Sequence, residues 1–144
     1  MIAAGRPFWP LFLHVLGAMT LFGGILTVAI LSGVAWRRPG VPVLPRAAFV
    51  ALLVTLPDYI VMRLGAGWIY SKEGYSGHHD PTWLGIGFGV ADGGLVILLL
   101  LLGAGFWWRR SGRAVAGHIV AGLSGVYLLL LAVAWLAMSG KWGA

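Results

Sequence analysis

The sequence contains no cysteine and only four acidic residues among its 144 residues. The absence of cysteine excludes disulfides, thiolate metal ligands, haem attachment through a CxxCH motif and thiol redox chemistry, and it leaves the redox compartment undetermined. Charged residues are scarce at 10%, and apolar residues make up 60%. Average soluble domains are about a quarter charged and about half apolar. Because a small soluble domain needs a polar surface, the mean hydropathy of +0.92 argues against a soluble enzyme, a disordered tail and a nucleic-acid-binding module.

Four long apolar runs predict the fold, and they cover roughly residues 8–36, 47–70, 83–108 and 114–138. A helix needs about 20 residues to cross a hydrocarbon core about 30 Å thick. In lipid the backbone must satisfy its own hydrogen bonds, which favours helices over isolated strands. The sequence therefore predicts an all-α fold, a four-transmembrane-helix bundle that forms one integral membrane domain. The first run is longer than a signal core, so we expect a retained helix.

Tryptophan and arginine predict the boundaries and the orientation of these spans. All eight tryptophans fall near the proposed span ends, where indole prefers the headgroup zone. Six arginines lie in the connections 36–46 and 109–113, whereas the connection 71–82 carries Lys72 with Glu73 and Asp80. Basic excess marks the cytoplasmic side, so both termini and the second connection are predicted to face outward. The expected location is a bacterial inner membrane.

Stripes of small residues suggest which helix faces meet. Between membrane helices small residues allow close backbone approach, and at 100° per residue each stripe lies along one face. We expect all three stripes, with the ionisable residues on or beside them, to point into the bundle. They comprise Gly17, Thr20, Gly24 and Thr27 in the first run, Gly85, Gly89, Asp92 and Gly103 in the third, and Ala114, His118, Ala121, Gly122, Gly125 and Ala132 in the fourth.

Ionisable residues within the spans are the first candidates for a functional site, because each costs about 2.5 to 3.5 kcal/mol on insertion scales. They are His14, Asp58, Arg63, Asp92 and His118. A rise of about 1.5 Å per residue places the first four near the midplane or in the outer half, where we expect them to form one cofactor-binding constellation with His78 and His79 above it. His118 falls in the opposite leaflet from His14, which argues against a haem clamped between these two histidines.

Each of these residues also has a structural interpretation. Arg63 can extend its guanidinium to the outer headgroups. Asp58 follows Pro57 and can either pair with Arg63 or stay protonated. His14 can simply hydrogen-bond a backbone carbonyl, and His118 can be a structural or interfacial histidine. Asp92 has no obvious partner on its own helix and is the strongest candidate for lining a polar site.

The connection between the second and third spans contains a possible metal-binding segment. His78, His79 and Asp80 are consecutive, and Glu73 lies nearby in the sequence. Imidazole and carboxylate are common ligands of transition metals. The sequence therefore offers His78, His79 and Asp80 as metal ligands.

The first span resembles the first helix of several families of small bacterial membrane proteins. The segment Leu13-His14-Val15-Leu16-Gly17-Ala18, followed by Phe22-Gly23-Gly24, is similar to the copper-resistance D family, to related families of unknown function and to the membrane-bound, haem-binding protoporphyrinogen oxidase. In the haem-binding family such a histidine is associated with the cofactor. The resemblance implies this role for His14 alone.

Three functions follow from these residues as alternatives. The first is binding of haem b or a transition metal through His14 with His78 or His79, with Arg63 neutralising an anionic group. The second is proton- or ion-coupled transport with Asp58 and Asp92 as midplane carboxylates. The third is a non-catalytic subunit of a larger membrane complex, and a homo-oligomer is compatible with each. No Gly-x-Ser-x-Gly or His-Glu-x-x-His motif is present, which gives enzymatic activity little support.

Overall fold

The computed structural model describes residues 8–72 and 82–140, which form four long α-helices. Each helix is long and apolar enough to cross a membrane, which confirms the predicted all-α class and the four candidate spans. The predicted segment His78-His79-Asp80 lies outside the described residues. The helices are α1 (Phe8–Arg37), α2 (Val43–Lys72), α3 (Thr82–Ser111) and α4 (Ala114–Gly140).

The connections at the arginine-bearing end are shorter than the sequence suggested. The second helix begins four residues before the predicted boundary at residue 47, because Pro45 fits within its first turn, where a missing backbone N–H costs nothing. The two connections at this end turn through Gly40 and Gly112, whose φ angles of +87° and +67° favour glycine. Few residues therefore separate consecutive helices here, and they pack as hairpins.

The four helices form a closed ring in which each packs against two neighbours, in the order α1, α2, α3, α4 and back to α1. Their directions alternate, so the start of α1 and the end of α4 lie at the same end of the bundle. Which end faces the cytoplasm stays a prediction. Large apolar side chains fill the centre, including Leu21, Ile25, Leu52, Leu98, Leu101, Val120 and Tyr127. Many other apolar side chains cover the outside of the bundle, as expected for contact with lipid.

The backbones of α1 and α2 approach each other closely at two glycines. A Cβ atom added to Gly17 would lie 2.5 Å from the backbone nitrogen of Met62 and 2.9 Å from the carbonyl oxygen of Asp58. A Cβ atom added to Gly65 would lie 2.7 Å from the backbone nitrogen of His14. The two backbones therefore touch at two levels, and glycine is needed on each helix. This is the packing that small residues allow between membrane helices.

The prediction that small-residue stripes face the interior holds only in part. Gly17 is buried and Gly24 packs against Thr55. Thr20 and Thr27, from the same predicted stripe, are exposed, and their hydroxyls donate to carbonyl oxygens of α1 itself. These hydroxyls are thus satisfied without a partner helix.

For α3 the stripe prediction is wrong, and for α4 it holds only in part. Gly85, Gly89, Asp92 and Gly103 are all exposed, and no atom lies within 4 Å of a Cβ added to these three glycines. Half of the α4 stripe is likewise exposed and the other half is half-buried, namely Ala114, His118 and Gly122 against Ala121, Gly125 and Ala132. The reason is physical: lipid is as apolar as the bundle interior, so large residues can face inward while small ones face outward. The buried face of α3 is instead built from Gly94, Leu98, Leu101, Gly105 and Trp108.

The tryptophans whose side chains are described lie near helix ends, in agreement with the predicted belts. Trp9, Trp36, Trp68, Trp107 and Trp135 are exposed. Trp108 differs, because only 4% of it is exposed and its ring packs where a side chain on Gly117 would otherwise sit. Most of these indoles are therefore placed for contact with headgroups, and one packs α3 against α4.

Candidate functional site

An ion pair between α2 and α3 is the central feature of the candidate site. The guanidinium of Arg63 donates a hydrogen bond to the Asp92 carboxylate over 3.0 Å. The Asp92 side chain is 68% exposed and that of Arg63 is 36% exposed. In a membrane span an outward-facing charged pair is expensive unless water, a ligand or another protein covers it. The exposure of Asp92 thus marks this surface as a candidate binding site.

The depth of the pair places it inside the hydrocarbon region. Arg63 and Asp92 each lie between two and three turns from their end of the bundle, which is about 14 Å along the helix axis. Helices of 30 residues are about 45 Å long, so they extend about 7 Å beyond each side of a core about 30 Å thick. The ion pair therefore lies about 7 Å inside the nearer hydrocarbon boundary.

Aromatic side chains form the wall of an open groove beside the ion pair. The guanidinium carbon of Arg63 lies 4.8 Å from the centre of the Phe88 ring, and Tyr70 meets Phe88 edge to face at 5.5 Å. Phe88 stands one turn before Asp92 on α3, which places it next to the carboxylate. The groove has a volume of about 710 Å³ and is lined by Arg63, Leu64, Gly67, Trp68, Tyr70, Ser71, Phe88 and Asp92.

A tyrosine behind the ion pair fixes how α2 and α3 align. Tyr59 stands one turn before Arg63, and its hydroxyl donates to the carbonyl oxygen of Ala91 over 2.8 Å. Because Ala91 directly precedes Asp92, this bond holds Arg63 and Asp92 at the same level.

Deeper in the bundle, the buried hydroxyl of Tyr127 has no hydrogen-bond partner among the described residues.

His14 lies apart from the ion pair, on the side of α2 that faces α1. Its Nδ1 is 3.0 Å from the carbonyl oxygen of Met62, which is the structural interpretation that the sequence left open. His14 does not line the groove at Arg63. The predicted constellation is therefore divided, with His14 at the contact between α1 and α2 and the Arg63–Asp92 pair between α2 and α3, because Met62 and Arg63 project about 100° apart on α2.

Asp58 does not join the ion pair. It is half-buried beside Pro57, and no hydrogen bond or ion pair of its carboxylate is found among residues 8–72 and 82–140. Its offset from Arg63 is five residues, about 140° around the helix, so the two side chains do not face each other. Within the same residues nothing joins Asp58 to Asp92.

The metal-ligand prediction falls on residues that are not described. His78, His79 and Asp80 belong to the segment between α2 and α3 for which no placement is given. Among the described residues, no group of three or more histidine, aspartate or glutamate side chains is arranged to hold a metal ion. In this half of the bundle His14 is therefore a possible single ligand and belongs to no described metal-binding group.

The structure also identifies site residues that sequence analysis missed. Phe88, Tyr70 and Tyr59 surround the ion pair, and each is an ordinary aromatic residue of an apolar span. Phe88 lies one turn before Asp92, and Tyr59 lies one turn before Arg63. This spacing could have shown from the sequence that each aromatic ring lies next to a charged residue. Tyr70 could not be found in this way because it meets Phe88 across two helices.

At the opposite end of the bundle His118 stacks on Trp36, with ring centres 3.9 Å apart.

Comparisons of the chain with protein-family models, with curated proteins and with solved structures each find no match.

Proposed function

We propose that this chain is a membrane protein that binds a small amphipathic molecule from the bilayer in the groove between α2 and α3. The observation that carries the proposal is the Arg63–Asp92 ion pair, which is exposed within two apolar spans. A guanidinium and a carboxylate side by side can recognise a polar head that both accepts and donates hydrogen bonds. Phe88, Trp68 and Leu64 offer apolar contact to the rest of the ligand.

The shape of the groove supports binding rather than catalysis. Its lining offers an arginine and a carboxylate that already satisfy each other, rather than a nucleophile next to a base. It opens sideways between two helices, so a molecule could enter from the lipid without crossing the membrane surface. Because basic excess is concentrated at the other end, we further propose that the groove lies in the outer leaflet of a bacterial inner membrane. Labelling of single cysteines at Ser71 and Ser111, in a chain without native cysteine, tests this orientation.

The binding proposal is tested by native mass spectrometry of protein released from cell membranes in mild detergent. We expect wild-type protein to carry a bound molecule of a few hundred daltons, and both Arg63→Gln and Asp92→Asn to lose most of it. The matched control is Thr20→Val, which removes an exposed polar group in the same half of the bundle, outside the groove. Equal retention by Arg63→Gln and Thr20→Val would refute the proposal.

A second candidate function, cofactor binding through His14, is favoured by one specific contact. Histidine ligands of metals commonly donate their other ring N–H to a backbone carbonyl, which leaves Nε2 available to the metal. The bond from His14 Nδ1 to Met62 has this form. His78 or His79 would supply a second ligand to haem b or a transition metal. When bound, such a group would supply electron transfer or ligand sensing.

The cofactor proposal predicts an absorption or metal signal that depends on His14. Wild-type protein expressed with ample haem should show a Soret band, or otherwise a stoichiometric metal, and His14→Ala should lose it. His118→Ala should keep the signal, because this histidine lies at the other end of the bundle. A colourless and metal-free wild-type protein would contradict this candidate and leave the groove proposal intact.

A further inference from the structure

A second pocket lies at the arginine-bearing end of the bundle, far from the groove. Its volume is about 170 Å³, and it is enclosed by the end of α1, the first connection, the end of α3 and the start of α4. Trp36 and His118 form one wall, and Trp108 and Ser32 lie on its inner side. The pocket sits where the helices leave the hydrocarbon core, at the level of lipid headgroups.

The wall formed by Trp36 and His118 presents ring nitrogens that make no hydrogen bond to residues 8–72 or 82–140. The two rings are stacked at 3.9 Å with an angle of 28° between their planes. The side chain of His118 is exposed. Neither of its ring nitrogens forms a hydrogen bond with another residue in the described part of the chain. Stacking holds the imidazole in place, and its nitrogens remain free for a ligand.

The charge around the pocket has one sign. The lining residues Trp36, Pro45 and Ala114 are each adjacent in the sequence to an arginine, and Ala114 also begins α4, where the helix dipole is positive. Within the described ranges these arginines form no ion pair, since Arg63 at the other end makes the one that is found. Six exposed arginines belong to this end, namely Arg37, Arg38, Arg46, Arg109, Arg110 and Arg113.

We propose that this pocket binds the phosphate group of an anionic phospholipid from the adjoining leaflet. A phosphate accepts hydrogen bonds from imidazole N–H and from arginine, and arginine can bind it with two parallel bonds. Basic pockets between membrane helices at the headgroup level fit such lipids. The lipid tails would then lie along the exposed apolar faces of α1 and α4.

The test is native mass spectrometry of protein taken from bilayers of equal parts phosphatidylglycerol and phosphatidylcholine. Wild-type protein is expected to retain phosphatidylglycerol preferentially. The double variant Trp36→Ala/His118→Ala should lose this preference, and Arg113→Gln should weaken it about fivefold, which corresponds to about 1 kcal/mol for one arginine near the surface. Because Trp36 and His118 are exposed, these variants should fold, and thermal unfolding in phosphatidylcholine checks this.

The matched control is Trp135→Ala, which removes a tryptophan that is 68% exposed, compared with 58% for Trp36, toward the other end of α4. It should retain phosphatidylglycerol as wild type does. Equal retention of the two lipids by wild type, or unchanged preference in the double variant, would overturn the proposal. Displacement of phosphatidylglycerol by millimolar inorganic phosphate would also overturn it and identify a free phosphate as the occupant.

Discussion

Asp92→Leu alone should destabilise the bundle by about 2 kcal/mol, whereas Arg63→Met and Asp92→Leu together should cost much less. Removal of one partner leaves a guanidinium without its counter-charge inside the hydrocarbon region, and a charge there costs about 2.5 to 3.5 kcal/mol on insertion scales. Removal of both leaves apolar groups, which commonly replace a buried pair at little cost. The free energy of unfolding in mixed detergent micelles is the measurement.

The control for the substitutions at Arg63 and Asp92 is Leu95→Ala, which shortens an exposed apolar side chain on α3 and leaves both charges in place. It should change the unfolding free energy by less than about 0.5 kcal/mol. If Asp92→Leu proves as mild as this control, Arg63 extends to the headgroups on its own. The ion pair would then not hold α2 and α3 together.

Gly17→Val should separate α1 from α2 and cost about 2 to 3 kcal/mol of unfolding free energy. The first added carbon would lie 2.5 Å from the backbone nitrogen of Met62, and backbone cannot move aside as the end of a flexible side chain can. Overpacking of this kind typically costs about 1 to 3 kcal/mol. The same change moves His14 relative to Met62, so their hydrogen bond should weaken as well.

Gly23→Val provides a matched control on the same helix. No atom lies within 4 Å of a Cβ added to Gly23, so this variant makes the same change in helix propensity without a clash. We expect it to be neutral or slightly stabilising, because glycine is the poorer helix former. Equal destabilisation by the two variants would show that Gly17 is not a close packing position.

The four spans were predictable from the sequence because membrane crossing depends on local properties. Length and apolar content of each run decide whether a helix can span, and no knowledge of neighbours is needed. The helix boundaries fall within a few residues of the prediction except at α2, where Pro45 occupies the first turn. The order of packing around the ring follows from short connections between antiparallel helices.

The rotation of each helix about its axis was not predictable, and the candidate site depends on it. The small residues of α3 suggested an inward-facing Asp92, but both sides of a membrane helix meet apolar surroundings. Depth estimates placed Arg63 and Asp92 within reach of each other without showing that they pair. The contact between His14 and Met62 similarly depends on the approach of α1 to α2 at Gly65.

The backbone contact between α1 and α2 has a consequence for how the protein is made. A chain synthesised through Lys72 already contains both sides of this contact, before α3 and α4 have left the ribosome. The first two helices can therefore associate as a pair on insertion. The later pair is then added to a partner that is already in place, so biogenesis can proceed in two steps of two helices each.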